Sequence, residues 1–256
     1  MTTSKGGCPL HLQHGEETQT QHMEAPRWFP DELAHAGDEH LDLEYVQGYD
    51  RKAGTDSAED MALFRDLGLN ETHTLVDLGA GTGTLALAAS PLCRRVIAVD
   101  VSAAMLAILK EKAERLGIKN IECVKSGFLT YEHRGESADF VYSRNALHHL
   151  PDFWKALALE RISSILRPGG VLRLHDLVFS FDPREAEHII EVWLANAAEH
   201  PEHGWTRPEI EKDVREEHIT FSWLLEPMLE RVGFEIQNTS HDASRAYSAY
   251  TCIKTR

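Results

Sequence analysis

A disulfide framework has little to build on in this chain. Its four cysteines, Cys8, Cys93, Cys123 and Cys252, are spread over 256 residues with no CxxC pair, a usage that fits unpaired thiols in a reducing cytoplasm. Basic residues are also scarce: 26 against 41 acidic ones, a net charge of −15, with residues 1–60 alone carrying 13 acidic and 4 basic side chains. A surface so acidic repels phosphate backbones, and without a local basic groove a nucleic-acid partner is disfavoured. Long apolar runs are missing. The longest uncharged stretch, Leu78 to Cys93, contains Gly and Thr and is no bilayer span. The opening MTTSKGGCPLHLQHGEE has no apolar segment to act as a signal peptide, so a cytoplasmic location without membrane attachment is expected. No internal repeat is evident. Cys8, His11 and His14 have a spacing that could touch a metal, but they sit in a polar tail, and no metal site is expected.

What is present is organised in three parts. Residues 1–25, rich in Gly, Gln, Thr, Glu and His, read as a disordered tail. Residues 26–56 carry Trp28, Phe29, Tyr45 and Tyr49 in acidic, helix-friendly sequence and read as an N-terminal lid or cap. From residue 57 to 256 the chain reads as one domain. SAEDMALFRDLGL opens it with a helix, Ser57 and Asp60 resembling a capping box. Strand and helix patterns then alternate: HTLVDLG and a helix from Thr82; RRVIAVD and SAAMLAILKEKAERLG; NIECVKS; ADFVYSR and PDFWKALALERISSIL; GGVLRLHDLV. That alternation predicts a doubly wound, mostly parallel α/β sheet. Ser102 is placed as an N-cap and Gly117 as a helix stop. An insertion over about 181–220 is helical, its second helix carrying Thr206 as N-cap and Pro208 in the first turn. SWLLEPMLERVG is a last helix, before FEIQNTSHD and YSAYTCIKT, which pair as an antiparallel hairpin.

The chemistry starts at VDLGAGTG, residues 76–83, lying between a strand and a small-residue helix. Gly79, Ala80, Gly81 and Gly83 form a loop where glycine admits a ligand to the backbone, at the sheet edge where open α/β folds bind ligands. Phosphate, dinucleotide and sulfonium cofactors all fit at this point. Asp100 ends the next strand, where a carboxylate can accept hydrogen bonds from both ribose hydroxyls, and the loop and Asp100 together specify a nucleoside. The dinucleotide fingerprint needs a glycine where this chain has Thr84.

Val76, Asp77 and Leu78 followed by GAGTG resemble the first motif of class I S-adenosylmethionine-dependent methyltransferases, with Asp100 at their ribose-binding acid. VYSRNALHHLPD and LRPGGVLRLHD resemble the fourth- and fifth-strand regions of that family's small-molecule branch, which includes quinone-biosynthesis enzymes. The resemblance covers roughly residues 70–178. It implies a Rossmann-like, seven-stranded methyltransferase sheet with an antiparallel C-terminal hairpin and a helical lid, and S-adenosylmethionine as cofactor. By the same resemblance Asp77 and the glycine loop hold the methionine end, Asp100 the ribose, and Val101 and Met105 flank the adenine. Asn145 lines the cofactor, and Tyr49, in YDRKAG, closes over it. One departure stands out. Where many relatives have an acid after the third strand for the adenine amino group, this chain has Gly127 and Phe128, leaving a backbone carbonyl or ring stacking to serve.

RNALHH leaves the fourth strand where the transferable methyl would lie, and His148 and His149 carry imidazoles, whose unperturbed pKa lies near neutrality and suits a proton acceptor for a small-molecule hydroxyl. They could equally order the loop. His175 and Asp176 are further polar groups at the fifth strand's end, Asp176 doubling as a loop-fixing acid. Tyr45, Tyr49, Trp193, Trp205 and Trp223 are candidate walls of a substrate pocket or ordinary core residues. Methyl transfer to a small molecule, giving S-adenosylhomocysteine, is the expected activity. A nicotinamide-dependent oxidoreductase and a catalytically silent S-adenosylmethionine-binding protein are the rivals. A lid helix that could pack on a second copy leaves a homodimer open.

Overall fold

The computed structural model describes residues 28–36, 43–54 and 56–255; the side chains of Leu43, Glu44, Tyr45 and Gln47 lie outside the description. The tail expected over 1–25 falls outside it as well. Two compact units divide after Pro30. In the first, Trp28 and Phe29 meet edge to face with ring centroids 5.7 Å apart.

In the second unit, α1 (Leu43–Ala53) and α2 (Ala58–Asp66) precede the alternating part. That part runs β1 (Thr74–Leu78), α3 (Thr84–Ala89), β2 (Arg95–Asp100), α4 (Ala103–Arg115), β3 (Ile121–Lys125), β4 (Ala138–Arg144), α5 (Asp152–Ile165) and β5 (Leu166–Phe179). It is followed by α6 (Ala186–Ala195), α7 (Arg207–Glu216), β6 (Thr220–Phe221), α8 (Ser222–Arg231), β7 (Phe234–His241) and β8 (Tyr247–Lys254). The strands form one sheet ordered β3-β2-β1-β4-β5-β8-β7, with β6 pairing β5 off that path. Eight strands therefore stand where seven are expected. The extra one, β6, is two residues that run parallel to the end of β5, pairing Val178 with Thr220 and Phe179 with Phe221. Too short to carry a period, it is invisible to pattern reading. β8 runs antiparallel to both β5 and β7, and the remaining main-path strands are parallel.

All five residues of β1 are buried, as a central strand covered on both faces requires. Strand order reverses at β1, between β2 and β4, and a crevice opens there beyond the strands' carboxyl ends. The caps that shape this edge match their sequence signals. Ser102 Oγ accepts from Met105 N at 3.2 Å to start α4, and Gly117, at φ +69°, turns the chain out of it. Thr206 and Glu209 form a capping box on α7, with Thr206 N donating to Glu209 Oε2 at 2.9 Å.

Asp60 departs from its expected capping role. It is buried under α2, taking Arg173 Nε at 2.8 Å and Tyr142 Oη at 2.8 Å, while Asp56 Oδ1 accepts from Ala58 N instead. A buried arginine on β5 demands a carboxylate partner more strongly than a helix end exposed to water does. The main core packs Phe64, Leu75, Ala86, Val96, Leu109 and Phe140 between sheet and helices. A second cluster, around Phe179, Phe181, Trp193 and Ile210, seats the insertion on the end of β5. Among the described residues no helix is long and apolar enough to cross a membrane.

Candidate functional site

Gly79 and Gly83 are glycines for separate reasons of space and dihedral angle. At Gly83, φ is +86°, and a Cβ would stand 2.1 Å from Leu109 Cδ1 on α4. At Gly79, φ is +75°, and a Cβ would stand 2.4 Å from the Cβ of Ala146. The loop thus packs tightly on both neighbours, and its Gly79 and Ala80 N–H groups donate to the Val99 carbonyl at 2.9 and 3.0 Å, which ties it to the end of β2. α3 begins at Thr84, two residues later than expected, because Gly83 occupies the left-handed N-cap. Asp100 closes the far side: its Oδ2 accepts from Gly81 N and its Oδ1 from Ser102 N, each at 2.7 Å. A carboxylate has about four acceptor positions, so one carboxylate can serve backbone donors and a polar ligand together.

Three cavities meet at this edge. The first is lined by Gly79, Gly81, Asp100, Val101, Met105, Gly127, Phe128, Asn145, Tyr49 and His149, ten residues expected at the site, and also by Glu32 and Arg144. The second lies under the glycine loop and holds Asp77 and Ala80 together with Tyr49, Arg144 and Asn145. The third opens toward the insertion, between His148, His149, Trp205, Asp213, Glu217 and Tyr247, again with Tyr49 and Asn145. Gly83 lines none of these three, its contribution being the turn into α3.

Burial, then the nearby Asp100, raises the Asp77 carboxyl to about 8, opposed by a hydrogen bond from the Ala86 N–H. Burial likewise raises the Tyr49 hydroxyl to about 12, with Asp100 and Asp50 adding to it. Arg144 Nε and Asn145 Oδ1, both on cavity walls, are buried without a hydrogen-bond partner. Orphaned polar atoms of this kind suit a polar ligand. α1 is drawn over the edge by side-chain bonds of Asp50 to Thr82 and Lys112. Its Lys52 pairs with Glu209 on α7 and sits 4.5 Å above the Trp205 ring.

The two histidines behave differently. Burial works against a charge on His148, yet Asp176 and Glu217 together push its pKa up to about 10. Asp176 takes His148 Nδ1 and also accepts from Leu147 N at 2.7 Å and Leu177 N at 2.8 Å, so it fixes the turn after β4. His149 lines both the first and the third cavities. His175 lies apart, near Asp60, Arg173 and Tyr247, its pKa lowered by burial and by Arg144. Trp205 joins the third cavity, Trp193 belongs to the insertion core, and the exposed Trp223 stacks on Phe221. The side chain of Tyr45 and the Cys8, His11 and His14 set lie outside the described residues.

Sequence reading missed Glu32, Arg144 and Glu217. The buried carboxylate of Glu32 accepts from Leu129 N at 2.9 Å and Thr130 Oγ1 at 2.8 Å. It fills the space over Gly127, where a Cβ would meet it at 2.3–2.5 Å. A carboxylate from a remote segment thus stands beside Gly127, on the wall of the first cavity.

An α/β sheet with a switch-point crevice, a glycine loop and a ribose-spaced carboxylate defines a nucleoside-cofactor protein. Residues 75–170 match the model of a methyltransferase domain. The uncharacterized methyltransferase YcgJ of Bacillus subtilis is 30% identical over 111 residues, 43% of each chain. An uncharacterized methyltransferase of Bacillus cereus is 27% identical over 209 residues, 82% of this chain and 89% of that one. A SAM-dependent methyltransferase from Aquifex aeolicus shares the fold, with a TM-score of 0.57, 18% identity, and coverage of 84% and 99%. Residues 75–170 thus match a methyltransferase domain, and the fold is the one S-adenosylmethionine-dependent methyltransferases share.

Proposed function

We propose that this enzyme methylates a small-molecule acceptor bound in the third cavity, with the cofactor spanning the first and second. The observation that carries the reading is the sharing of Tyr49 and Asn145 by all three cavities, so that cofactor and acceptor sites meet at the end of β4. When bound, S-adenosylmethionine supplies an electrophilic methyl on a sulfonium. The chain's own groups do the rest. Asp100 receives the ribose hydroxyls, Val101, Met105 and Phe128 enclose the base, and Glu32 accepts from its amino group. Asp77 and Arg144 take the charged amino-acid end. Tyr49 covers the junction and excludes water, which an in-line displacement needs as much as alignment.

His149 is the residue placed to touch the acceptor, because it faces both cavities; His148, locked between two carboxylates, positions it. Trp205, Tyr247 and Asp213 shape a pocket closed by the insertion, which favours a compact acceptor over a polymer. The acidic surface and the unpaired thiols of Cys93, Cys123 and Cys252 suit work on a small metabolite in the cytoplasm.

The test begins with calorimetric titration of S-adenosylhomocysteine and NAD into the wild type and an Asp100→Ala variant. Binding of the adenosyl ligand alone, lost in the variant, is expected. Transfer of labelled methyl to a panel of small hydroxyl, thiol and amine acceptors should then fall at least about tenfold in His149→Ala with cofactor affinity kept. Transfer to RNA or protein instead, with none to small molecules, would overturn the reading.

A further inference from the structure

The turn after β4 and the end of α7 bring together three side chains on the wall of the third cavity. His148 Nε2 lies 3.1 Å from Glu217 Oε2, and His149 Nδ1 lies 3.4 Å from Glu217 Oε1. One donor atom from each of the three residues falls within 4.8 Å of the others. We propose that His148, His149 and Glu217 form a binding site for a divalent transition-metal ion in the wall of the acceptor cavity.

Spacing is the first argument. Nitrogen and oxygen ligands bind zinc-like ions at about 2.0–2.2 Å, which sets neighbouring donors about 3.0–3.5 Å apart; Glu217 stands at 3.1 and 3.4 Å from the two histidines, and the three donors lie within 4.8 Å of one another. The second concerns the Glu217 carboxylate, which pairs through Oε2 with His148 Nε2 and through Oε1 with His149 Nδ1, so that one anionic group bridges both imidazoles where a cation would sit. Third, the supporting shell is built. Asp176 bonds His148 Nδ1 and is itself held by the Leu147 and Leu177 N–H groups, which orients Nε2 toward the cluster, as in carboxylate–histidine–metal arrangements, with the ion displacing the Nε2 proton as it binds. The two ligand-bearing segments are also tied together, His218 N donating to the His148 carbonyl at 3.1 Å and Lys155 Nζ to the His218 carbonyl.

Two imidazoles and one carboxylate select zinc, iron(II), cobalt or manganese over magnesium and calcium, which prefer all-oxygen shells. Three protein ligands leave coordination positions toward the cavity. On the proposed function, these would take an anionic oxygen or sulfur donor of the acceptor; the ion site itself stands on geometry alone.

The experiment is titration of chelator-treated, full-length protein with Co²⁺, read by its visible d–d absorption, with Zn²⁺ as competitor. Glu217→Gln and His149→Asn are measured in parallel, their folding checked by circular dichroism. One equivalent bound by the wild type, weakened at least about tenfold in both folded variants, is expected. No binding, or binding that neither substitution changes, would overturn the site and place any ion elsewhere, for example on the N-terminal histidines. S-adenosylhomocysteine titration of the same samples separates the two readings. Loss of the adenosyl ligand with cobalt retained fails the proposed function only, and the reverse fails the ion site only.

Discussion

Asp77 gives the most exacting test of the cofactor site, because its environment sets both a sign and a size. The carboxyl is buried at the end of β1, near Asp100 and Asp60, and its pKa in the folded protein is raised from 3.8 to about 8. Folding therefore takes up a proton at neutral pH. This group's contribution to stability is fully present below about pH 4 and is lost as pH rises through about 8. At about 1.4 kcal/mol per unit, the loss is on the order of 5 kcal/mol across the window. Asp77→Asn keeps the shape and an acceptor for the Ala86 N–H but cannot ionise. The stability difference between wild type and variant, measured by urea unfolding from pH 5 to pH 9, should change by about 1.4 kcal/mol per unit until about pH 8 and then level off. A cationic amino-acid end beside Asp77 would favour the ionised form. At pH 6, where the empty site holds nearly a full proton and an α-amino group is protonated, cofactor binding should release close to one proton. Calorimetry in buffers of different ionisation enthalpy counts it. A difference that is flat across pH 5 to 8, together with no proton release, would mean that Asp77 is ionised in the empty protein and would refute the reasoning.

Three further outcomes follow from contacts already described. Gly83→Ala combines a left-handed φ with a Cβ driven into Leu109, and should cost about 2–4 kcal/mol in urea unfolding, from about 1–2 for the dihedral and the rest for overpacking. Pairing it with Leu109→Ala should recover the steric part only, seen as a non-additive double-mutant cycle. Asp60→Ala strands the buried Arg173 guanidinium and the Tyr142 hydroxyl, and should lose about 3–5 kcal/mol of stability. Asp60→Ala combined with Arg173→Met should regain much of it, measured in the same assay. Glu32→Gln keeps the side chain's bulk over Gly127 but removes its charge, and should weaken S-adenosylhomocysteine binding about tenfold, one charge-assisted hydrogen bond's worth, in a calorimetric titration.

Legibility of the fold followed distance along the chain. The strands, the Ser102 and Thr206 caps, the Gly117 stop and the glycine loop are each written in a few consecutive residues, because a cap or a turn is satisfied by its immediate neighbours. Asp100 could be placed because the β1–loop–α3–β2 unit has a near-constant length. Apart from the late start of α3 and the two-residue β6, the misreadings are long-range pairings. Asp60 carries the local signature of a capping acid, yet its partner Arg173 is 113 positions away; nothing within α2 reveals that a buried cation waits on β5. Glu32 and Leu129 are 97 positions apart, so the bare Gly127 looks like a missing acid until the segment before α1 is seen lying over it.

Glu217 is the sharpest case. At the end of α7, in REEHIT, it has the appearance of one more solvated charge in an acidic helix. Its meaning comes from where the insertion lands. The β6–β5 pairing and the His218 N–H bond to the His148 carbonyl fix the end of α7 against the turn after β4, and only then does a surface carboxylate become the third member of a histidine cluster. The core of the sheet specifies the cofactor edge through local motifs. The insertion specifies what faces that edge, through contacts between segments whose sequences do not mention one another. On the proposed function, acceptor chemistry is a property of how the insertion docks, and substitutions at Glu217, Trp205 or Lys52 should redirect or abolish methyl acceptance while leaving the β1 loop and Asp100 able to bind cofactor.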